Sequence, residues 1–101
     1  MKNLYPHQKF SAAITSMASS PKPIQERLGD AFLYHLIHVK PADLPEHVRE
    51  KFSYLLARIV MVGSDQGTIA ATVKYMSEEQ AVELAADVVF IADAVASDAH
   101  S

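Results

Sequence analysis

The sequence predicts an all-α protein, a small four- or five-helix bundle, and three observations carry that expectation. Apolar residues recur at steps of three and four along most of the chain, the period of helices that each bury one stripe. Proline and glycine fall mainly between these stripes, where they act as punctuation. One segment opens with a complete helix-start signature, Ser77-Glu78-Glu79-Gln80, in which a hydroxyl and an amide can each satisfy the other's backbone N–H. No pair of period-two runs joined by a hairpin turn competes with this reading.

The first helix is expected over about residues 7–17, with Phe10, Ile14 and Met17 on one face. It ends in Ser19-Ser20-Pro21-Lys22-Pro23. Ser20 is a candidate N-cap for the next helix, and proline is tolerated in a first turn because its missing N–H has no partner there. The second helix is expected over 23–39. Ile24, Leu28, Ala31, His35 and His38 descend one stripe, Phe32, Leu36 and Val39 widen it, and Leu33 and Ile37 lie off it. Gly29 sits in mid-helix at a cost of about 1 kcal/mol against alanine, so a neighbouring helix is expected to approach closely there.

Lys40-Pro41 through Leu44-Pro45 forces a break, since a residue before proline is pushed out of the α region. The third helix, 45–62, carries Val48, Phe52, Leu55, Ile59 and Val62 at steps of four, three, four and three. Residues Gly63 to Gly67 form a turn by composition, and a short helix is expected over 68–75. The last helix, 78–96, starts at the capping box, with Glu78 and Glu79 where the helix dipole favours negative charge. Ala81, Ala85, Val88, Ala92 and Val95 are its expected core stripe.

Chain length and composition narrow the class of molecule. A chain of 101 residues, 50% apolar and 21% charged, suits a single α-helical domain spanning 1–101. Nine Lys and Arg against twelve Asp and Glu give a net charge of −3, which disfavours nucleic acid as the main partner because phosphate affinity needs clustered cations. The absence of cysteine removes disulfides, thiolate nucleophiles and sulfur-based zinc sites. Nothing at the start of the sequence reads as a signal peptide, and the most apolar run, Tyr54 to Gly63, contains Arg58 and falls far short of the roughly 20 residues a span needs. A cytoplasmic location is the default expectation.

Apolar residues exceed what a small core requires. A core-facing helix needs about three apolar positions in seven, yet the last helix reads Val88-Val89-Phe90-Ile91-Ala92 and the third reads Ile59-Val60-Met61-Val62. Either these helices are central, or their surplus residues form an interface. The expected contact residues are Met61, Val89 and Phe90, followed by Leu33 and Ile37, with a second copy of the chain or another protein as partner.

Candidates for chemistry are few. His35 and His38, three apart, have a spacing that can bring two imidazoles to one metal, and Asp43 with His47 could add ligands; the Glu-x-x-His pattern of carboxylate-bridged metal helices is missing. Glu83 and Asp87, with Asp93 beyond them, share a face that reads as solvated acid rather than as a catalytic pair. No phosphate loop, nucleophile elbow or triad spacing occurs. Residues 54–76 invite a helix-turn-helix reading, but Thr68, Thr72 and Lys74 make a weak recognition surface. The leading expectation is a non-catalytic homodimer acting through protein–protein contact and requiring no cofactor. A DNA-binding regulator comes second, and a helical metal-binding enzyme third.

Overall fold

In the computed structural model of the chain, residues 4–59, 69 and 72–100 are described. The protein is all-α. Its long helices are α1 (Tyr5–Ser19), α2 (Ile24–Tyr34), α3 (Glu46–Ile59) and α4 (Glu78–Ala99), with single 3₁₀ turns at Leu36–His38 and Pro41–Asp43. Residues 69 and 72–74 are also helical, within the short helix expected over 68–75. The expected end of the third helix at 60–62, Met61 included, and the turn at 63–67 lie outside the described residues.

Helix α4 organises the rest, because it packs against α1, α2 and α3. Phe10 of α1, Phe32 of α2 and Phe52 of α3 are fully buried around it, and the rings of Phe10 and Phe52 meet tilted at 60° with centroids 5.5 Å apart. Each such side chain contributes about 1.5–3 kcal/mol through the apolar surface it removes from water. The α3 stripe of Val48, Phe52, Leu55 and Ile59 is buried as the spacing predicts. On α1 the buried set is Pro6, Phe10, Ala13 and Met17, while Ile14 lies at the margin.

Four local expectations need correction. Helix α1 begins at Tyr5, ahead of His7, because Pro6 is accommodated in the first turn. Helix α2 ends at Tyr34 instead of running to Val39: His35 leaves helical geometry at φ −130° and ψ −55°, and a 3₁₀ turn follows. In that tighter turn residues three apart eclipse, so Leu36 and Val39 both enter the core and carry the apolar row towards buried Leu44. The core stripe of α4 is Ala81, Leu84, Val88, Ile91 and Val95. Ala85 and Ala92 stand at its edge, since burying leucine and isoleucine gains more area than burying alanine. Ser20 does not cap α2; its hydroxyl accepts from the Lys22 N–H at 3.3 Å, and the N-cap position is Pro23.

The starts of α2 and α3 share a device. Pro23 and Pro45 precede them, and proline offers no side-chain oxygen to the first-turn N–H groups. Four residues after each proline stands an arginine whose Nε donates back to the carbonyl just before it. Arg27 reaches Lys22 O at 2.8 Å and Arg49 reaches Leu44 O at 2.8 Å. Arg27 also donates from a terminal guanidinium nitrogen to Met17 O at 3.1 Å, tying the last turn of α1 to the start of α2. At the start of α4 the predicted capping box is present in full, with Gln80 N donating to Ser77 Oγ and Ser77 N to Gln80 Oε1, both at 3.0 Å.

Candidate functional site

The side of α4 opposite its core stripe is the most distinctive surface of the molecule. Val82, Val89 and Phe90 are 52%, 53% and 54% exposed, and Ala86 between them is exposed as well. At 3.6 residues per turn these four residues share one side of the helix, so the surplus apolar residues predicted at Val89 and Phe90 do face away from the core. Charge frames them. Glu78, Glu79 and Glu83 are exposed at one end and Asp93 at the other. Glu78–Ala99 holds six of the twelve carboxylates of the chain and no lysine or arginine.

Phe90 has a neighbour that tempers its exposure. Lys51 Nζ of α3 lies 5.5 Å from the centre of its ring and 3.3 Å from Asp87 Oδ1. A cation over an aromatic face at a solvated site gains roughly 0.5–1 kcal/mol. The same pairing recurs at other exposed rings: Lys9 over Tyr5, Arg58 over Tyr54 and Lys74 over Tyr75. The Tyr54 hydroxyl also accepts from Arg58 at 2.8 Å. Val82 and Val89 are aliphatic and offer no ring for such a pairing, yet are as exposed as Phe90.

Two depressions flank the ridge made by Val89 and Phe90. One, of about 410 Å³, runs between α1 and α4, with Ile14, Val89, Ala92 and Ala96 as its apolar walls and His7 and Asp93 among its lining. The other, of about 560 Å³, lies where α4 meets the start of α3 and is lined by Pro45, His47, Phe90 and Asp93 among others. Asp93 lines both.

The remaining expected contact residues lie elsewhere. Leu33 and Ile37 are partly buried against the core. Leu33 also lines a separate groove of about 560 Å³ between α2 and residues 69–74, whose floor is Gly29, Ile69 and Val73 and whose rim carries Lys22, Glu26, Asp30 and Lys74. Across that rim Lys22 Nζ contacts Asp30 Oδ2 at 2.9 Å. The hydrogen bond and the charge of Asp30 raise the Lys22 pKa above its ordinary value. Among the described residues, its lining holds no serine, threonine or histidine. Met61 lies outside the described residues.

The metal candidates do not keep the geometry on which they were proposed. His35 sits at the C-cap of α2, half-buried, and His38 is exposed at the end of the following 3₁₀ turn, so the helical i, i+3 pairing is lost at the break. Asp43 and His47 are both exposed. Among the described residues no group of three or more His, Asp or Glu is gathered as a metal site would require. The histidines that do meet are His7 and His100, edge to face with ring centroids 5.4 Å apart, a contact between α1 and the residue after α4 that sequence spacing cannot reveal. Of the carboxylates on α4, Asp87 is engaged by Lys51, and Glu83 and Asp93 face solvent. Thr72, one of the few polar residues a recognition helix could have used, is buried at 8% exposure. Among the described residues, no helix is long and apolar enough to cross a membrane. No protein-family model, curated protein or solved structure matches the chain.

Proposed function

We propose that the protein is a non-catalytic helical module that works through protein–protein contact on the outer face of α4. The observation behind this reading is the run of Val82, Ala86, Val89 and Phe90, exposed on the longest of the described helices. Single exposed apolar residues need no explanation, whereas a contiguous set on one rigid helix is the kind of surface that partners cover. Its carboxylate frame resembles the polar rim around the apolar centre of a contact patch. The burial of Thr72 and the acidic surface weigh against DNA, and the loss of the His35–His38 pairing at the end of α2 weighs against a metal enzyme. Two occupants satisfy this reading, a second copy of the chain and a foreign segment.

The test begins with Val89→Asp and Phe90→Asp. Both side chains are half in solvent, so each change should leave the far-UV circular dichroism intact and shift folding stability by less than about 1 kcal/mol. Light scattering at several micromolar protein then gives the mass. A native value of twice 11.1 kDa that returns to 11.1 kDa in the variants assigns the face to self-association. If either variant unfolds, these side chains belong to the core and the proposal fails.

A further inference from the structure

Building on the contact reading above, we infer that the α4 face receives a basic amphipathic helix from another protein, laid along the groove between α1 and α4, and not a second copy of this chain. The first ground is charge. Helix α4 carries Glu78, Glu79, Glu83, Asp87, Asp93 and Asp98 and no lysine or arginine. Lys51, the cation that reaches it from α3, is held by Asp87 and lies over Phe90.

Two copies of this face meeting about a two-fold axis would run their α4 helices either parallel, each carboxylate then facing its own counterpart, or, with the axis across the helices, antiparallel. With the axis near Ala86, Asp93 of each copy would lie across from Glu79 or Glu83 of the other. Any such pairing sets carboxylate against carboxylate while taking them out of water, the arrangement that rejects a partner. A helix carrying lysine or arginine beside its apolar stripe reverses the sign of every one of those contacts.

The second ground is shape. The depression between α1 and α4 has apolar walls from both helices, Ile14 on one side and Val89, Ala92 and Ala96 on the other. Its α1 wall also includes Ser11 and Thr15, which are uncharged. Among the described residues, Asp93 alone brings a carboxylate into the lining. From Val82 to Ala96, the far wall of the depression, α4 spans about 21 Å, and about four turns of a partner suffice to cover it. This is the helix-in-groove mode, with anchors at i, i+3, i+4 and i+7. Cations on the partner's flanks would meet Asp93 at one end and Glu79 and Glu83 at the other. The same carboxylates oppose an anionic lipid surface.

The probe is a synthetic helix of about 18 residues with leucines at i, i+3, i+4 and i+7 spacing and lysines elsewhere. Its controls are a twin with glutamate for lysine and a scramble of the lysine peptide that keeps charge but breaks the stripe. Binding to the full chain is read by fluorescence anisotropy at about 50 mM and about 500 mM salt, on either side of strong screening. The lysine peptide should bind at least about tenfold tighter than both controls and weaken about tenfold or more at high salt. Glu83→Lys with Asp93→Lys should invert the preference towards the glutamate twin, and Val89→Ser should weaken the lysine peptide without altering helix content.

Equal binding of the scramble would show charge attraction with no groove and overturn the inference. A native dimer that Val89→Ser dissociates, with no peptide selectivity, would keep the contact reading and overturn the basic partner. A monomer that binds neither the lysine peptide nor its twin would remove both.

Discussion

Replacing Gly29 by alanine sets two effects of similar size against each other. In mid-helix the change favours folding by about 1 kcal/mol, because alanine has less backbone freedom to lose. Against that stands Val73. A Cβ added at Gly29 would lie 3.1 Å from Val73 Cγ2 and 3.2 Å from Cγ1, while Val73 Cβ itself would be 3.7 Å away. With both methyls crowding the new atom, rotation of the valine still leaves one in place, and relief requires α2 and the segment of Val73 to separate by a few tenths of an ångström. Overpacking of this kind costs about 1–3 kcal/mol. The net expectation is destabilisation by about 1 kcal/mol, or roughly 4–8 °C in Tm for a domain of this size.

The same numbers predict a change of sign. In a Val73→Ala background both methyls are gone and the remaining Cβ, 3.7 Å away, is at ordinary van der Waals distance. There Gly29→Ala should stabilise by about 1 kcal/mol, its helix-propensity gain alone. Urea unfolding of the four proteins of this cycle, followed by circular dichroism, measures the coupling, expected near 2 kcal/mol. Stabilisation by Gly29→Ala in the native background, or equal effects in both, would refute the close approach as the reason for glycine.

Other outcomes follow from the same structure. Ser77→Ala should cost about 1 kcal/mol by removing the acceptor for Gln80 N, and Gln80→Ala made on top of it should cost about 0.5–1 kcal/mol more, since the backbone N–H of residue 77 then loses Gln80 Oε1; thermal melts check both. Arg27→Met should destabilise by about 1–2 kcal/mol, as the Met17 and Lys22 carbonyls lose a charged donor, whereas Lys40→Met, at an exposed position, should change stability by less than about 0.5 kcal/mol. Phe52→Ala should cost about 3–5 kcal/mol and leave the chain unfolded or close to it. The Lys22–Asp30 contact raises the lysine pKa on folding. Its contribution is therefore complete below the ordinary lysine value of 10.5 and fades as pH climbs through the raised one. Asp30→Asn should flatten that alkaline limb of the stability profile, and raised salt should do the same.

Local rules explain why much of the fold is readable from the chain. The capping box works within one turn, and the Val48, Phe52, Leu55 and Ile59 stripe needs only the helical period to place it. The exposure of Val89 and Phe90 is legible for the same reason, since a helix has one inner side and Val88 and Ile91 occupy it. The arginine clamps carry a local signal too, a proline followed four residues later by arginine, present at Pro23 and Arg27 and again at Pro45 and Arg49.

What the sequence by itself determined is helical content, most of the helix starts and the buried stripe of α3, because propensity, capping and periodicity act between residues a few positions apart. Only the tertiary structure decided the rest. It chose Leu84 and Ile91 over Ala85 and Ala92 for the inner edge of α4, stopped α2 at Tyr34 so that Leu36 and Val39 could turn into the core, and set Val73 against Gly29. It also left an acid-framed apolar face uncovered along α4. Each of these rests on contacts between residues far apart in the chain, whose relative positions no local pattern encodes.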